Sequence, residues 1–304
     1  RRGVGPGTGP DDAASSWGLR LGGVVAVGAG GVDRVVVSDH VVFGSDLDAY
    51  ADPSVGGVVG GRQPTGPDGA WLEPLTLLSN LAARTSSVRL ATGILLAALR
   101  RPVVLAKMAA TVDVLSAGRL DLGVGVGWQQ AEYDAAGLPF AERGRLLDET
   151  LAICDTLWRQ RSASFASPDV AFADIHMMPK PAQGTVPVWV SGTVNPRAMR
   201  RLATFGAGWL PWGADAADLA TSVPRMREAV ASFGRDPDEL GVVGSLPVVP
   251  AADGTPDIEA SVAAAEPLVA LGVTDLKLRV PVHTDAGAAE DVLAPWVAAV
   301  RSLG

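Results

Sequence analysis

The sequence predicts an α/β protein built as a (β/α)8 TIM barrel, and three observations lead there. Residues 111–128 (TVDVLSAGRLDLGVGVGW) pass from the end of an apolar-periodic helix through Ser116-Ala117-Gly118 into a strand. That strand alternates Leu120, Leu122, Val124 and Val126 with Asp121, Gly123, Gly125 and Gly127, a period of two. Beyond residue 185, strand and helix patterns alternate to the end, which argues for parallel strands with crossover helices. The strands number eight when a short first one at 1–7 is counted, and 304 residues suit one large barrel as well as two ordinary domains.

The elements follow in order. After 1–7, residues 19–30 read as a first helix, although Gly22, Gly23, Gly28 and Gly30 make a poor helix former. The run VAVGAGG invites a dinucleotide loop, but the third glycine of GxGxxG is replaced by Asp33. Residues 32–37 read as a buried parallel strand that ends in Ser38-Asp39-His40. The polar, glycine-rich stretch 43–69 reads as a mobile lid. A helix over 71–85 carries Pro74 near its start. A strand follows at 88–95 with Thr92-Gly93 near its end, and Pro102 opens the helix that leads into 111–128.

Gly118 suits the left-handed residue that closes that helix. Residues 129–185 read as an insertion between strands four and five, holding a helix over 140–159 and a short irregular or hairpin excursion. The rhythm then resumes with strands at 186–192, 208–212, 240–249 and 273–280. Helices are expected at 196–205, 215–233, 258–271 and 286–303. One domain spans the whole chain on this reading.

Composition narrows the function. A net charge of −8 with no basic run argues against a nucleic-acid binder, which needs Lys and Arg against phosphates. Cys154 is the only cysteine, so cysteine zinc clusters and disulfides within the chain are excluded. A reducing, cytoplasmic setting is the simple expectation. No run of about 18 uncharged apolar residues suggests a membrane span. The three histidines, His40, His176 and His283, form no HxH or HExxH pattern, so no metal site is expected.

Chemistry in a barrel sits at the C-terminal ends of strands, which singles out Asp39, His40 and Trp128. An imidazole there can move a proton; a plain strand-capping histidine is the alternative. Ser191-Gly192-Thr193-Val194-Asn195-Pro196 joins a strand to a helix. Its free N–H groups make a weak anion site, to which Arg197 can add charge.

These stretches resemble the luciferase-like monooxygenase family, and within it the actinobacterial branch that uses the deazaflavin coenzyme F420. The matching residues are VVVSDHV (35–41), 71–96, 100–151 with its GRLDLGVGVGW run, MPKPAQ (178–183) and VPVWVSGTVNPRAMRRLATFGAGWLP (186–211). The resemblance implies a luciferase-like (β/α)8 barrel, a homodimer, and a flat ring in the C-terminal mouth. It places Asp39 and His40 at ring and substrate, and Thr92, Gly93 and Ile94 along one ring face. Gly125 and Gly127 leave room for the cofactor, and Ser191, Gly192 and Thr193 hold its phosphate. Phe43, Trp128, Glu132, Tyr133 and Trp212 line the outer pocket. Sugar-phosphate dehydrogenases of the family carry a catalytic glutamate where this chain has Gln129-Gln130, which argues against that activity.

The expected activity is hydride transfer between coenzyme F420 and a small hydrophobic substrate, with His40 exchanging the proton and Asp39 orienting or charging it. Two other readings use the same fold: an FMN-dependent monooxygenase, and a cofactor-binding barrel without turnover. Arg100, Arg101, Lys107, Lys180 and Arg197 are candidates for the deazaflavin's acidic tail.

Overall fold

The computed structural model describes residues 31–58, 61–63, 65–279 and 285–303. The expected first strand and helix, and His283, lie outside them. Seven strands form one parallel sheet: β1 (Arg34–Val37), β2 (Arg89–Thr92), β3 (Leu120–Val124), β6 (Val188–Gly192), β7 (Gly206–Pro211), β8 (Gly241–Ser245) and β11 (Asp275–Lys277), paired in that order. All six pairings are parallel. Two antiparallel pairs stand apart from it, β4 (Ala163–Ala166) with β5 (Ala171–Ile175), and β9 (Val249–Pro250) with β10 (Pro256–Asp257).

The sheet is curled. Arg34 on one edge strand reaches Asp275 on the other at 2.5 Å, and its Nε meets Asp121 of β3 at 2.9 Å. Arg89 donates to the same Asp121 carboxylate at 2.7 Å, so this buried acid is paired twice rather than left as an isolated charge. The Trp189 indole lies across the inside of the curl, with Arg34 stacked 4.4 Å from its ring centroid. Gly208 and Gly241 are glycines because of it: a Cβ at either would fall 2.4 Å from the indole.

Burial on β3 covers all five residues, since a parallel strand is covered on both faces. Leu120, Leu122 and Val124 join the core beneath the helices. On the other face Gly123 lets the Thr92 carbonyl approach so closely that a Cβ would sit 2.0 Å from its oxygen. That neighbour is backbone and cannot swing aside. Gly123→Ala is therefore expected to cost about 3 kcal/mol or more, read as a lowered denaturant midpoint. An unchanged midpoint would show that β2 and β3 can separate freely.

Helix starts follow the expected chemistry. Pro74, Pro102 and Pro196 occupy first-turn positions of helices Pro74–Arg84, Pro102–Leu115 and Pro196–Phe205. Glu73 caps the first through Thr76 N–H at 2.7 Å, and Asn195 caps the third through Ala198 N–H at 3.0 Å. Helix Pro102–Leu115 closes through Ala117 and Gly118, both left-handed at φ 55° and 80°.

Several boundaries differ from expectation. Helix Arg143–Arg159 packs on helix Pro102–Leu115, with Trp158 Nε1 donating to Ala106 O at 3.0 Å and the buried Cys154 thiol facing Pro102 O. It is thus the crossover between β3 and β6, and the excursion beyond the β/α rhythm is narrower than 129–185. The expected helix over 215–233 is divided, because the Asp218 carboxylate accepts the Thr221 N–H at 3.1 Å and starts a new helix, Leu219–Ser232. The helix over 258–271 is likewise two pieces, Ile258–Ala263 and Glu266–Ala270. Among the described residues no helix is long and apolar enough to cross a membrane.

Candidate active site

The parallel strands deliver their C-terminal ends to one side of the sheet, where His40 follows β1, Trp128 follows β3, Thr193 follows β6 and Trp212 follows β7. His40 follows β1 and sits against Phe43, Trp71 and Trp128, with ring centroids 4.4, 4.9 and 6.3 Å away. Its Nδ1 lies 3.3 Å from Oε2 of Glu132, whose other oxygen accepts the Val41 N–H at 2.8 Å. Glu132 is 2% exposed. A carboxylate can only accept, so the imidazole proton resides on Nδ1 and Nε2 is the atom left to exchange one. Glu132 therefore acts on His40 rather than lining an outer pocket.

Asp39 does not orient His40. Its carboxylate, buried at 5% exposure, is held by Arg100 at 2.6 and 3.2 Å and by the Leu96 N–H at 2.9 Å. Arg100 also meets Glu73 at 2.9 Å. Burial pushes the Glu73 carboxyl up, but the Thr76 N–H and the Arg100 guanidinium outweigh it and hold the group below the usual carboxylate range.

Tyr133, also expected in the pocket, is fully buried; its hydroxyl donates to Val126 O at 2.6 Å and its ring packs on Phe140. Burial pushes its phenol far up and keeps it protonated.

The glycine row is filled by the protein itself. Thr92 spends its hydroxyl on Gly123 O at 2.7 Å. Ile94 occupies the space a side chain would need at Gly125, and Leu96 that at Gly127, with 2.6 and 2.7 Å to the Cβ positions. At Gly93 the Val36 side chain does the same, at 2.4 Å. Gly125 and Gly127 thus admit the 92–96 segment, whose Ile94 and Leu96 side chains fill the space beside them.

Residues 43–58 lie over the opening. They hold two short 3-10 turns, Asp48–Ala51 and Pro53–Val55. Tyr50 packs edge-on against Trp128 and Trp212 at 5.3 and 6.2 Å, and Trp212 Nε1 donates to Gly56 O at 2.8 Å. Gln129, absent from the expected site, clamps the base of this segment by accepting the Gly44 N–H and donating to Val42 O. Its period gave no hint, because the signal is a pairing 85 residues away.

At the opposite side of the mouth, Trp209 Nε1 donates to Gly192 O at 3.0 Å from beneath, and Thr193 Oγ1 accepts from Asn195. The Val194 N–H in the same turn donates to Asp215 at 2.7 Å. Arg197 is exposed and lines a surface groove with Glu142, Arg145, Asp148 and Arg200. Of the other cations considered for an acidic tail, Lys107 is engaged by Met178 O, and Lys180 by Leu157 O and Gln160 O.

Trp128 Nε1 is buried with no acceptor among the described residues. A buried donor without a partner beside an acid–base pair is a place for a ligand acceptor, so the ring end of the mouth fits a heteroaromatic cofactor.

A curled parallel sheet whose strand ends gather a buried imidazole–carboxylate pair under an aromatic cover is the layout of an α/β enzyme acting on a small molecule. The model of the luciferase-like monooxygenase family matches residues 59–290, and the chain belongs to that family. An uncharacterized protein of Mycobacterium tuberculosis is 33% identical over 207 residues, 64% of this chain and 73% of the relative. Among solved structures, monooxygenase RslO1 from Streptomyces bottropensis superposes with a TM-score of 0.73 at 18% identity, over 97% of this chain and 96% of that one. The coenzyme F420-dependent tetrahydromethanopterin reductase of Methanopyrus kandleri gives 0.58 at 20%, over 84% and 68%. An FMN complex of the oxygenating constituent of 3,6-diketocamphane monooxygenase from Pseudomonas putida gives 0.59 at 17%, over 87% and 67%. These structural likenesses establish the fold.

Proposed function

We propose that this chain is an oxidoreductase that moves a hydride between coenzyme F420 and a small hydrophobic substrate. The observation that carries the reading is the His40–Glu132 pair, with Nδ1 held at 3.3 Å from a buried carboxylate. When bound, the deazaflavin supplies or accepts a hydride at C5 of its ring. His40 delivers the matching proton from Nε2 to the substrate's heteroatom during reduction, or removes it during oxidation. Glu132 fixes the ring and balances the imidazolium.

Thr92, Gly93 and Ile94 would line one ring face, while Ser191, Gly192 and Thr193 would take the phosphate. Phe43, Trp71, Trp128 and Tyr50 exclude water and give the substrate an apolar berth. An eighth strand between β1 and β11 would complete the barrel. Two copies would form a dimer.

The second reading, an FMN monooxygenase, is supported by the likeness to monooxygenase RslO1 and to the FMN complex of the 3,6-diketocamphane monooxygenase constituent. Titrating the apoprotein with F420 and with FMN while following its eight tryptophans separates the two. Micromolar or tighter F420 binding with weaker FMN binding is the expected result, and FMN preference would put the oxygenase first.

A further inference from the structure

The last strand carries two cations into the mouth. On β11 the Asp275 carboxylate meets Arg34, which itself stacks on the Trp189 indole, so the Asp275 side chain points to the inside of the curl. Successive strand residues alternate faces, and Leu276 and Leu278 pack against the apolar cluster of Leu246 and Trp296 on the other side. Lys277 and Arg279 therefore share the inner face with Asp275 and lie farther towards the strand's C-terminal end. Both are exposed. Arg279 is near enough to Tyr50 in the cover that, while burial raises the pKa of that phenol, the guanidinium charge opposes the rise. Surrounding protein lowers the pKa of the Lys277 ammonium, and the charge of Arg279 beside it adds to the effect.

Among the described residues neither cation has an ion pair, and the charge acting on Lys277 is that of Arg279 rather than of a carboxylate. The acids around His40 are already committed, Asp39 to Arg100 and Glu132 to His40 and the Val41 N–H. In a chain of net charge −8, two like charges side by side repel each other in the free protein and create a local positive field that attracts an anion.

We propose that Lys277 and Arg279 hold a carboxylate of the substrate, which makes the substrate an apolar carbonyl compound or alcohol with an acid group remote from the reacting carbon. The proposal rests on the hydride-transfer reading and narrows it. His40 faces the oxygen of the reacting carbon, the aromatic cover takes the apolar body, and the planar guanidinium with the neighbouring ammonium anchors the acid. An acidic group of the cofactor has the same chemistry. The substrate is favoured because Arg279 stands by Tyr50, which packs 5.3 Å from Trp128, and Trp128 in turn packs on His40.

The test is calorimetric titration of the full chain, both unloaded and loaded with F420, with para-acetylbenzoate and with its uncharged counterpart para-acetylbenzamide. The acid is expected to bind about thirtyfold more tightly than the amide, with the difference shrinking at high salt. Lys277→Met and Arg279→Gln keep much of each stem and remove the charge. Each is expected to weaken the acid about tenfold and to leave the amide, F420 affinity and Tm unchanged. Equal affinity for acid and amide in the unsubstituted chain, binding of neither, or a preference that both variants retain overturns the proposal. A loss of F420 affinity in the variants with the acid unaffected would assign the cations to the cofactor's acidic tail and overturn the substrate role. Failure of the hydride-transfer reading looks different: the unsubstituted chain then binds no F420 or prefers FMN, whereas the acid-over-amide difference is read in the unloaded chain without any cofactor.

Discussion

Replacing His40 by alanine is expected to lower turnover roughly a hundred- to ten-thousand-fold and to leave cofactor affinity nearly unchanged. In the proposed reaction the proton crosses at Nε2 of His40. Glu132→Gln should cost less, about tenfold in kcat, since the amide oxygen still accepts the Val41 N–H while the charge facing Nδ1 is gone. Because Glu132 works through His40, the double variant should be no slower than His40→Ala alone. The loss should fall on kcat and spare cofactor affinity, which a merely structural role would not produce. Additive losses in the double variant would mean that Glu132 serves something other than His40, and equal losses of affinity and turnover in His40→Ala would remove the proton role.

The frame of the fold is written locally, and the site is not. Pro74, Pro102 and Pro196 mark helix starts because a missing N–H costs nothing in a first turn, and Gly118 marks a stop because its φ of 80° suits no branched residue. The glycine row of β3 was legible as a close approach, but what approaches is Thr92, Ile94 and Leu96, which no period in the sequence reveals.

His40 stood out by lying at a strand end. Its partner did not: Glu132 is 92 residues away, on the six-residue helix Gln130–Ala135, too short to show an amphipathic pattern. Its neighbour Tyr133 turns into the core instead, so two adjacent residues expected in one pocket have opposite fates. Asp39, next to His40 in sequence, is claimed by Arg100, 61 residues on. The Asp218 break had a local signal, since Asp is a favoured N-cap whose carboxylate accepts a first-turn N–H, here that of Thr221.

Arg100→Ala is expected to produce the largest loss of stability, about 3–5 kcal/mol, lowering Tm by on the order of ten degrees for a chain of this size. The cost is not the attraction forgone. It is the Asp39 carboxylate left in a nearly dry site with the Leu96 N–H as its remaining donor, a charge that cannot return to water without opening the loop that carries His40. Adding Asp39→Asn to Arg100→Ala should therefore recover part of the loss, because it neutralises the orphan. No recovery would show that Arg100 stabilises by packing alone.

Acid titration gives an independent check through Glu73. Its folded pKa lies below the ordinary value of 4.5, so the unfolded chain binds the proton more readily. Stability from this group is complete above that value and is lost as pH falls through the folded pKa. Removing Arg100 removes one of the two groups that hold the pKa down. The acid-side slope of Tm against pH should then be shallower in Arg100→Ala than in the unsubstituted chain, and an unchanged slope would place the acid sensitivity elsewhere in the fold.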